Sequence, residues 1–223
     1  MASDSGDSGR VGMVGGSTRN AEPRLRWAVT LLLGVAAVLI APAVLFYLGF
    51  EGAELLFSRR LPELLGTRWF PQEGLIGILP LVVGTMAISG LGLALAVPLG
   101  LGTAITLRFY ASARLAHVLE SVLGVMGGMP SVVFGLFGTF WLVPHLGASL
   151  ATGALVLAAM TIPTFSLLAL AALRQLPDGL MSDGAALGLS RGRAILELAL
   201  PSARSALFGA GSLTLARSLG ETL

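Results

Sequence analysis

The sequence predicts an all-α protein, a polytopic bundle of membrane-crossing helices, and three observations predict it. Hydrophobic residues make up 55% of the chain and charged ones 12%, about half the roughly 25% charged share of a soluble protein. Four stretches carry no charge, or almost none, over lengths that cross a hydrocarbon core about 30 Å thick. Between them the arginines alternate from one side to the other, as the positive-inside rule requires.

The elements follow in order. Residues 1–26 are rich in Ser, Gly, Asp and Arg without apolar periodicity, the composition of a disordered tail. Residues 27–50 carry no charge and form the first expected span. Arg24 and Arg26 precede it as they would a signal peptide, but the apolar run is too long for one. It also lacks a small-residue cleavage site, so a retained span is expected. After a loop over residues 51–73, a charge-free run supplies a second span at 75–107. The long run at 121–173 supplies two more, 121–146 and 150–173, with a turn near Pro144, His145, Leu146 and Gly147. A polar, glycine-bearing segment fills 174–204, and the last apolar run, 205–223, is interrupted only by Arg217 and Glu221. The chain thus divides into a tail, 1–26, and a transmembrane domain, 27–223.

Arginine placement sets the orientation. Arg10, Arg19, Arg24, Arg26, Arg108, Arg114, Arg174, Arg191, Arg193 and Arg204 fall on one side, and Arg59, Arg60 and Arg68 on the other. The richer side is cytoplasmic, which puts the N-terminus inside a cytoplasmic (inner) membrane. The net charge of +2 therefore reflects topology, and nothing points to nucleic acid. There is no cysteine, hence no disulfide or thiolate metal site. All 14 basic residues are arginine. A Walker A phosphate loop needs lysine, so any ATP must be bound by another subunit. No motif calls for a cofactor.

Prolines interrupt the expected spans, among them Pro98, Pro130 after Gly127-Gly128-Met129, and Pro163. Proline removes a backbone hydrogen bond, which is tolerated where neighbouring helices or waters satisfy the freed carbonyl. Each break alone reads as a packing kink, and Gly124 with Gly128 reads as a small-residue pair for close helix packing. Three broken helices around one core favour a path for a solute.

Arg217 and Glu221 are the candidate site. Ionisable groups in a membrane are expensive unless they pair or face water, and they mark function by default. At i, i+4 spacing they share one helix face. They form either a salt bridge that neutralises both charges or an arginine fork for an oxyanion, with Glu221 holding Arg217 in place when the site is empty or gating it. Ser131 and Thr164 are further donors, although such hydroxyls commonly bond back to their own helix. His117 and His145 read as solvated, and Met126, Met129 and Met160 as packing. Ser212 lacks a membrane-embedded histidine to activate it, which argues against an intramembrane hydrolase.

The segment 174–204 resembles the cytoplasmic coupling loop of binding-protein-dependent ABC importer permeases: Glu-Ala-Ala, three residues, Gly, nine residues, then Ile-x-Leu-Pro. Gly188, Leu198, Leu200 and Pro201 match its second half. The start departs, because Ser182 occupies the Glu slot, Asp183 follows, and Gly184 takes the second Ala slot. The loop around Ala185, Ala186 and Arg191 to Arg193 is expected to dock on an ATPase. GILPLVVGT (77–85), AVPLGLG (96–102), GMPSVVFGLFG (128–138) and ARSLGET (216–222) resemble the phosphate-specific permeases, and the outer loop with Trp69 and Pro71 is closer to their C-type (PstC) than their A-type subunits.

The resemblance implies a type I ABC importer permease (MetI-like) fold and a role in phosphate import. It implies a second permease subunit, two ATP-binding subunits, an extracytoplasmic phosphate-binding protein and surrounding lipid. It also implies that Arg217, Glu221, Thr222 and Ser131 lie on the substrate path. Family members continue through this span and one more, so a chain truncated at Leu223 is expected. The alternatives are a permease for sulfate or molybdate, or a structural membrane protein, which would have no reason to carry Arg217 and Glu221.

Overall fold

The computed structural model describes residues 21–57 and 65–222. These fall in two compact units that divide after Leu64. Residues 1–20 of the expected tail lie outside the described residues.

The first unit contributes one helix, α1 (Ala21–Phe57), with Pro42 inside it. It is apolar all round and exposes its large side chains from Trp27 to Phe50, as a lipid-facing helix does.

The second unit opens with a two-residue hairpin, β1 (Trp69–Phe70) and β2 (Leu75–Ile76), turned by a short 3-10 segment and by Gly74 at φ +74°. Then comes α2 (Leu79–Ile105), which continues through a π-helical turn to Tyr110. Ser112 caps α3 (Ala113–Gly128), its hydroxyl accepting from the Leu115 amide. α4 (Ser131–Phe137) runs on through a π-helical turn into Val143–Leu146. Ser149 caps α5 (Leu150–Arg174) by accepting from the Thr152 amide. α6 (Leu180–Ala186) and α7 (Arg191–Ala194) form a short helical hairpin, and a further π-helical turn leads into α8 (Leu200–Thr222). That last π turn has a local cause. Pro201 has no amide hydrogen to give, and the Leu200 amide reaches back to the Ile195 carbonyl, an i to i−5 register of the kind found at π-bulges.

α5 is the centre of this unit. Its buried side includes Leu157, Phe165, Ala169, Leu170 and Leu173, and α2 lies against it along Ser89, Gly92, Ala96, Gly100 and Ala104. Those five sit three or four residues apart, so small residues line one face and the two backbones come close. A Cβ at Gly92 would meet Leu157 Cδ2 at 3.1 Å, and one at Gly100 would meet Phe165 Cδ1 at 2.7 Å. The packing stripe is therefore on α2. Gly124 and Gly128 were expected to mark such a contact, but nothing lies within 4 Å of a Cβ built on either. Ala203 and Ala210 of α8 join the same core.

Among the described residues, three helices are long and apolar enough to cross a membrane: Arg26–Ala53, Leu79–Tyr110 and Leu150–Arg174. α3 and the α4 segment pass that test together but meet at 89°. Met129 before Pro130 is extended, at φ −68° and ψ 138°, because a proline disfavours helical geometry in the residue before it. The break expected at Pro130 in the span over 121–146 is there, as two helices around Met129-Pro130, the first beginning eight residues before that span. α8 is a continuous helix through the expected last span, but its Arg, Glu, Ser and Gly leave it less apolar than the others.

Candidate functional site

α8 presents two neighbouring stripes. Ala203, Ala210, Thr214 and Ser218 are buried against the bundle. Arg217 and Glu221 sit one position away, on the flank of that face. The buried stripe carries hydroxyls, and the helices it meets supply more. Ser218 Oγ lies 3.5 Å from Thr161 Oγ1 on α5, and its carbonyl accepts from Ser89 Oγ on α2 at 3.5 Å. Ser89 Oγ also lies 3.3 Å from Thr222 Oγ1. Thr222 and Thr214 donate back to their own helix, to the carbonyls of Ser218 at 3.2 Å and Ala210 at 2.7 Å. Three helices therefore share one hydroxyl cluster inside the bundle, with each group partnered as burial requires.

The charged pair borders that cluster. Arg217 Nε and Glu221 Oε1 stand 3.7 Å apart, with the side chains 42% and 27% exposed. That distance permits Coulomb attraction but exceeds a hydrogen bond. Arg217 Nη1 instead donates to Thr164 Oγ1 on α5 at 3.3 Å. Thr164 lies about 15 Å of helix from the Arg174 end of α5 at 1.5 Å per residue. Glu221, Thr222 and Ser131 line one open cavity of about 680 Å³, walled by α2, α4, α5 and α8. Arg217 does not line it, and reaches it only through Glu221. Gly138 and Gly153 help to make this space. A Cβ at Gly138 would run into the Val156 side chain.

The other group of expected residues lies at the opposite end of α8, about 24 Å of helix from Arg217. In α6, Gly184 is buried, and a Cβ there would sit 3.1 Å from both Ala194 Cβ and Leu198 Cδ1. A side chain in this slot would push the hairpin open. Gly188 takes φ +77°, the left-handed conformation that glycine adopts without penalty. Its amide and that of Leu189 bond the carbonyls of Ala185 and Gly184, each at 3.0 Å, which closes the C-terminus of α6. Ser182, Asp183, Ala185, Ala186 and Arg191 are exposed, as is Pro201 at the start of α8. Ser182 Oγ donates to the Gly179 carbonyl at 2.7 Å. Leu187, at the tip, is 77% exposed.

Sequence reasoning missed Ser89, Thr161 and Ser218. A lone hydroxyl in an apolar run is the only signal each gives. It missed two ion pairs as well. Arg174 of α5 grips both carboxylate oxygens of Glu120 on α3, with Nη1 on Oε2 at 3.0 Å and Nη2 on Oε1. Arg108 meets Asp178 at 3.1 Å. His145 packs on Trp141, its Nδ1 2.7 Å from the Trp141 carbonyl. Among the described residues, no cluster of acids and histidines could hold a metal.

Comparisons with known proteins place this geometry. The family model described as "Binding-protein-dependent transport system inner membrane component" matches residues 96–223. A Bacillus subtilis protein named "Probable ABC transporter permease protein YqgH" is 32% identical over 217 residues, covering 91% of this chain and 69% of that protein. "Phosphate transport system permease protein PstC 1" of Mycobacterium bovis is 29% identical over 260 residues, covering 96% and 75%. "Phosphate transport system permease protein PstC" of Xylella fastidiosa is 29% identical over 238 residues, covering 94% and 73%. Among solved structures, an inward-facing MetNI methionine ABC transporter superposes with a TM-score of 0.54 at 20% identity, covering 69% of this chain and 74% of that one. At that identity the match establishes the fold.

Proposed function

The chain belongs to the binding-protein-dependent transport system inner membrane component family, and from that membership we propose that it is a permease subunit of an ATP-driven importer of inorganic phosphate. The observation that carries the substrate is the loose Arg217–Glu221 pair beside a cavity lined by hydroxyls. A guanidinium held by one hydroxyl, without a hydrogen bond to its carboxylate, keeps donors for an incoming oxyanion. The PstC names of its relatives support phosphate as that oxyanion.

The chain has no lysine and so no Walker A loop; ATP hydrolysis belongs to partner ATPases. α6, Gly188 and α7 would form the knob they hold, with Leu187 at its apolar tip and Ser182, Asp183 and Arg191 on its exposed faces. Because α7 runs through a π turn into α8, movement of the knob would be delivered along one helix to Arg217. A second permease subunit would complete the path, and an extracytoplasmic phosphate-binding protein would load it from the hairpin end. The arginine-rich end, with Arg108, Arg174 and Arg191, would face the cytoplasm, as would the N-terminus. α8 would be the fifth span despite its polar face, because that face is inside the bundle.

Three measurements test this reading. The full-length permease, co-expressed with its partners, should take up labelled phosphate, and unlabelled phosphate should compete where sulfate and molybdate do not. Equal competition by sulfate or molybdate would reassign the substrate. A bulky residue at Gly188's positive φ costs about 1–3 kcal/mol of strain, so Gly188→Val should cut coupled uptake at least tenfold while the subunit still inserts. Unchanged uptake and ATPase binding would end the docking role. For orientation, Thr67→Cys should label with an impermeant thiol reagent from outside cells and Ser190→Cys should not; the reverse pattern overturns the topology.

A further inference from the structure

At the other end of the unit from the hydroxyl cluster, a pocket of about 160 Å³ lies between the end of α2 and the α6–α7 hairpin. Two guanidiniums line it, Arg108 and Arg191, against one carboxylate, Asp178. The balance inside is a net positive charge, and the single acid compensates it poorly. Asp178 gives one contact, to Arg108 Nη2 at 3.1 Å, and its side chain is 99% exposed. An ion pair so open to water is worth well under a full charge–charge interaction. Arg108 Nε is buried and has no acceptor among the described residues, although a buried donor left unpaired costs about 1–3 kcal/mol. Arg191 is turned towards the same space by the Tyr110 ring, 5.3 Å from its guanidinium carbon. It has no acidic partner within salt-bridge distance among the described residues.

We propose that this pocket is a binding site for a phosphate group, separate from the transport path. Its size fits one small tetrahedral oxyanion. Its chemistry supplies the guanidiniums of Arg108 and Arg191 as donors, beside the apolar side chains of Met181 and Leu176. The two arginines belong to different segments, α2 and the start of α7. An oxyanion between them ties the hairpin to the membrane helix, so its occupancy tunes the freedom of the segment that partner ATPases hold. Free phosphate and the headgroup of an anionic phospholipid offer the same oxygens.

The test uses the full-length permease purified in phosphate-free buffer, with inorganic phosphate as probe and thermal unfolding as readout. In neutral detergent, added phosphate should raise the unfolding temperature saturably. Arg108→Gln and Arg191→Gln should each weaken the midpoint at least tenfold, and Arg114→Gln, at an exposed arginine outside the pocket, should leave it in place. A second arm compares nanodiscs of phosphatidylcholine with nanodiscs containing phosphatidylglycerol. If the headgroup is the source, phosphatidylglycerol stabilises wild type more than Arg108→Gln or Arg191→Gln without added phosphate. Should Arg108→Gln fail to fold, Arg191→Gln alone decides, because that side chain is exposed. A response lost in Arg217→Gln but kept in the Arg108 and Arg191 variants assigns the phosphate to the transport path and overturns the proposal. No response of wild type to either probe overturns it as well.

Discussion

Arg174 and Glu120 meet through both guanidinium nitrogens and both carboxylate oxygens where α3 and α5 pack, whereas Arg217 and Glu221 share one helix and stand 3.7 Å apart. The first pair spends its hydrogen-bonding capacity on itself and joins two helices. The second keeps most of that capacity and joins nothing, since i and i+4 are already fixed by the helix. What holds Arg217 is a neutral hydroxyl, Thr164, on the neighbouring helix. A bidentate pair is a clasp. A loose pair at the border of a cavity leaves guanidinium donors unspent, and the two should respond differently to loss of charge.

The largest effect is expected at Arg217. Losing one preorganised charge-assisted donor costs roughly a hundredfold in rate where the donor acts on the moving charge, so Arg217→Gln should lower phosphate uptake by about that factor. Glu221→Gln should impair transport too, by leaving Arg217 without its counter-charge. The double replacement by Gln separates the readings. A merely structural pair would recover assembly and uptake together once both charges are gone. A phosphate-contacting Arg217 would recover assembly alone. Normal labelled-phosphate uptake by the double variant would reduce Arg217–Glu221 to a second clasp and erase the contrast with Arg174–Glu120.

Thr164 offers a finer test of the same contrast. Thr164→Val keeps the shape and removes the hydroxyl that accepts from Arg217 Nη1. A neutral hydrogen bond is worth about 0.5–1.5 kcal/mol net. Uptake should fall about three- to tenfold, with the amount of folded protein unchanged. A larger loss, equal to that of Arg217→Gln, would mean that Thr164 meets the substrate itself.

How far these features were legible in the chain follows from what each depends on. The charge-free runs announce α1, α2 and α5, because hydropathy over that length is a property of the segment alone. The GGMP sequence at 127–130 announces a break, but its 89° turn depends on what α3 and α4 pack against. α3 begins at Ala113, earlier than its charge-free portion, since Arg114 and Glu120 sit on an amphipathic helix that a hydropathy run cuts short. Arg217 and Glu221 stand out because charge is rare in such a segment. Ser89, Thr161 and Ser218 do not, since many serines and threonines in apolar runs look alike and only helix packing selects which three meet. The small-residue stripe on α2 teaches the same point. Gly124 and Gly128 have the packing spacing, yet the face that packs is Gly92, Ala96, Gly100 and Ala104.

The smallest effect is expected at the clasp. Arg174 is half exposed, and Glu120 less so, with side-chain exposures of 50% and 23%. Partly solvated ion pairs of this kind contribute about 0.2–1 kcal/mol, towards the upper end here because the geometry is bidentate. Arg174→Gln should lower the unfolding temperature of the purified protein by a few degrees and leave uptake per folded molecule unchanged. Glu120→Gln should do the same, and the double variant should lose little beyond either single one, because the interaction is already gone after the first. Uptake per folded molecule measured beside thermal unfolding decides the matter. If Arg174→Gln abolishes transport while the fold survives, the tight pair is part of the moving machinery, and bidentate geometry no longer separates clasp from donor in this chain.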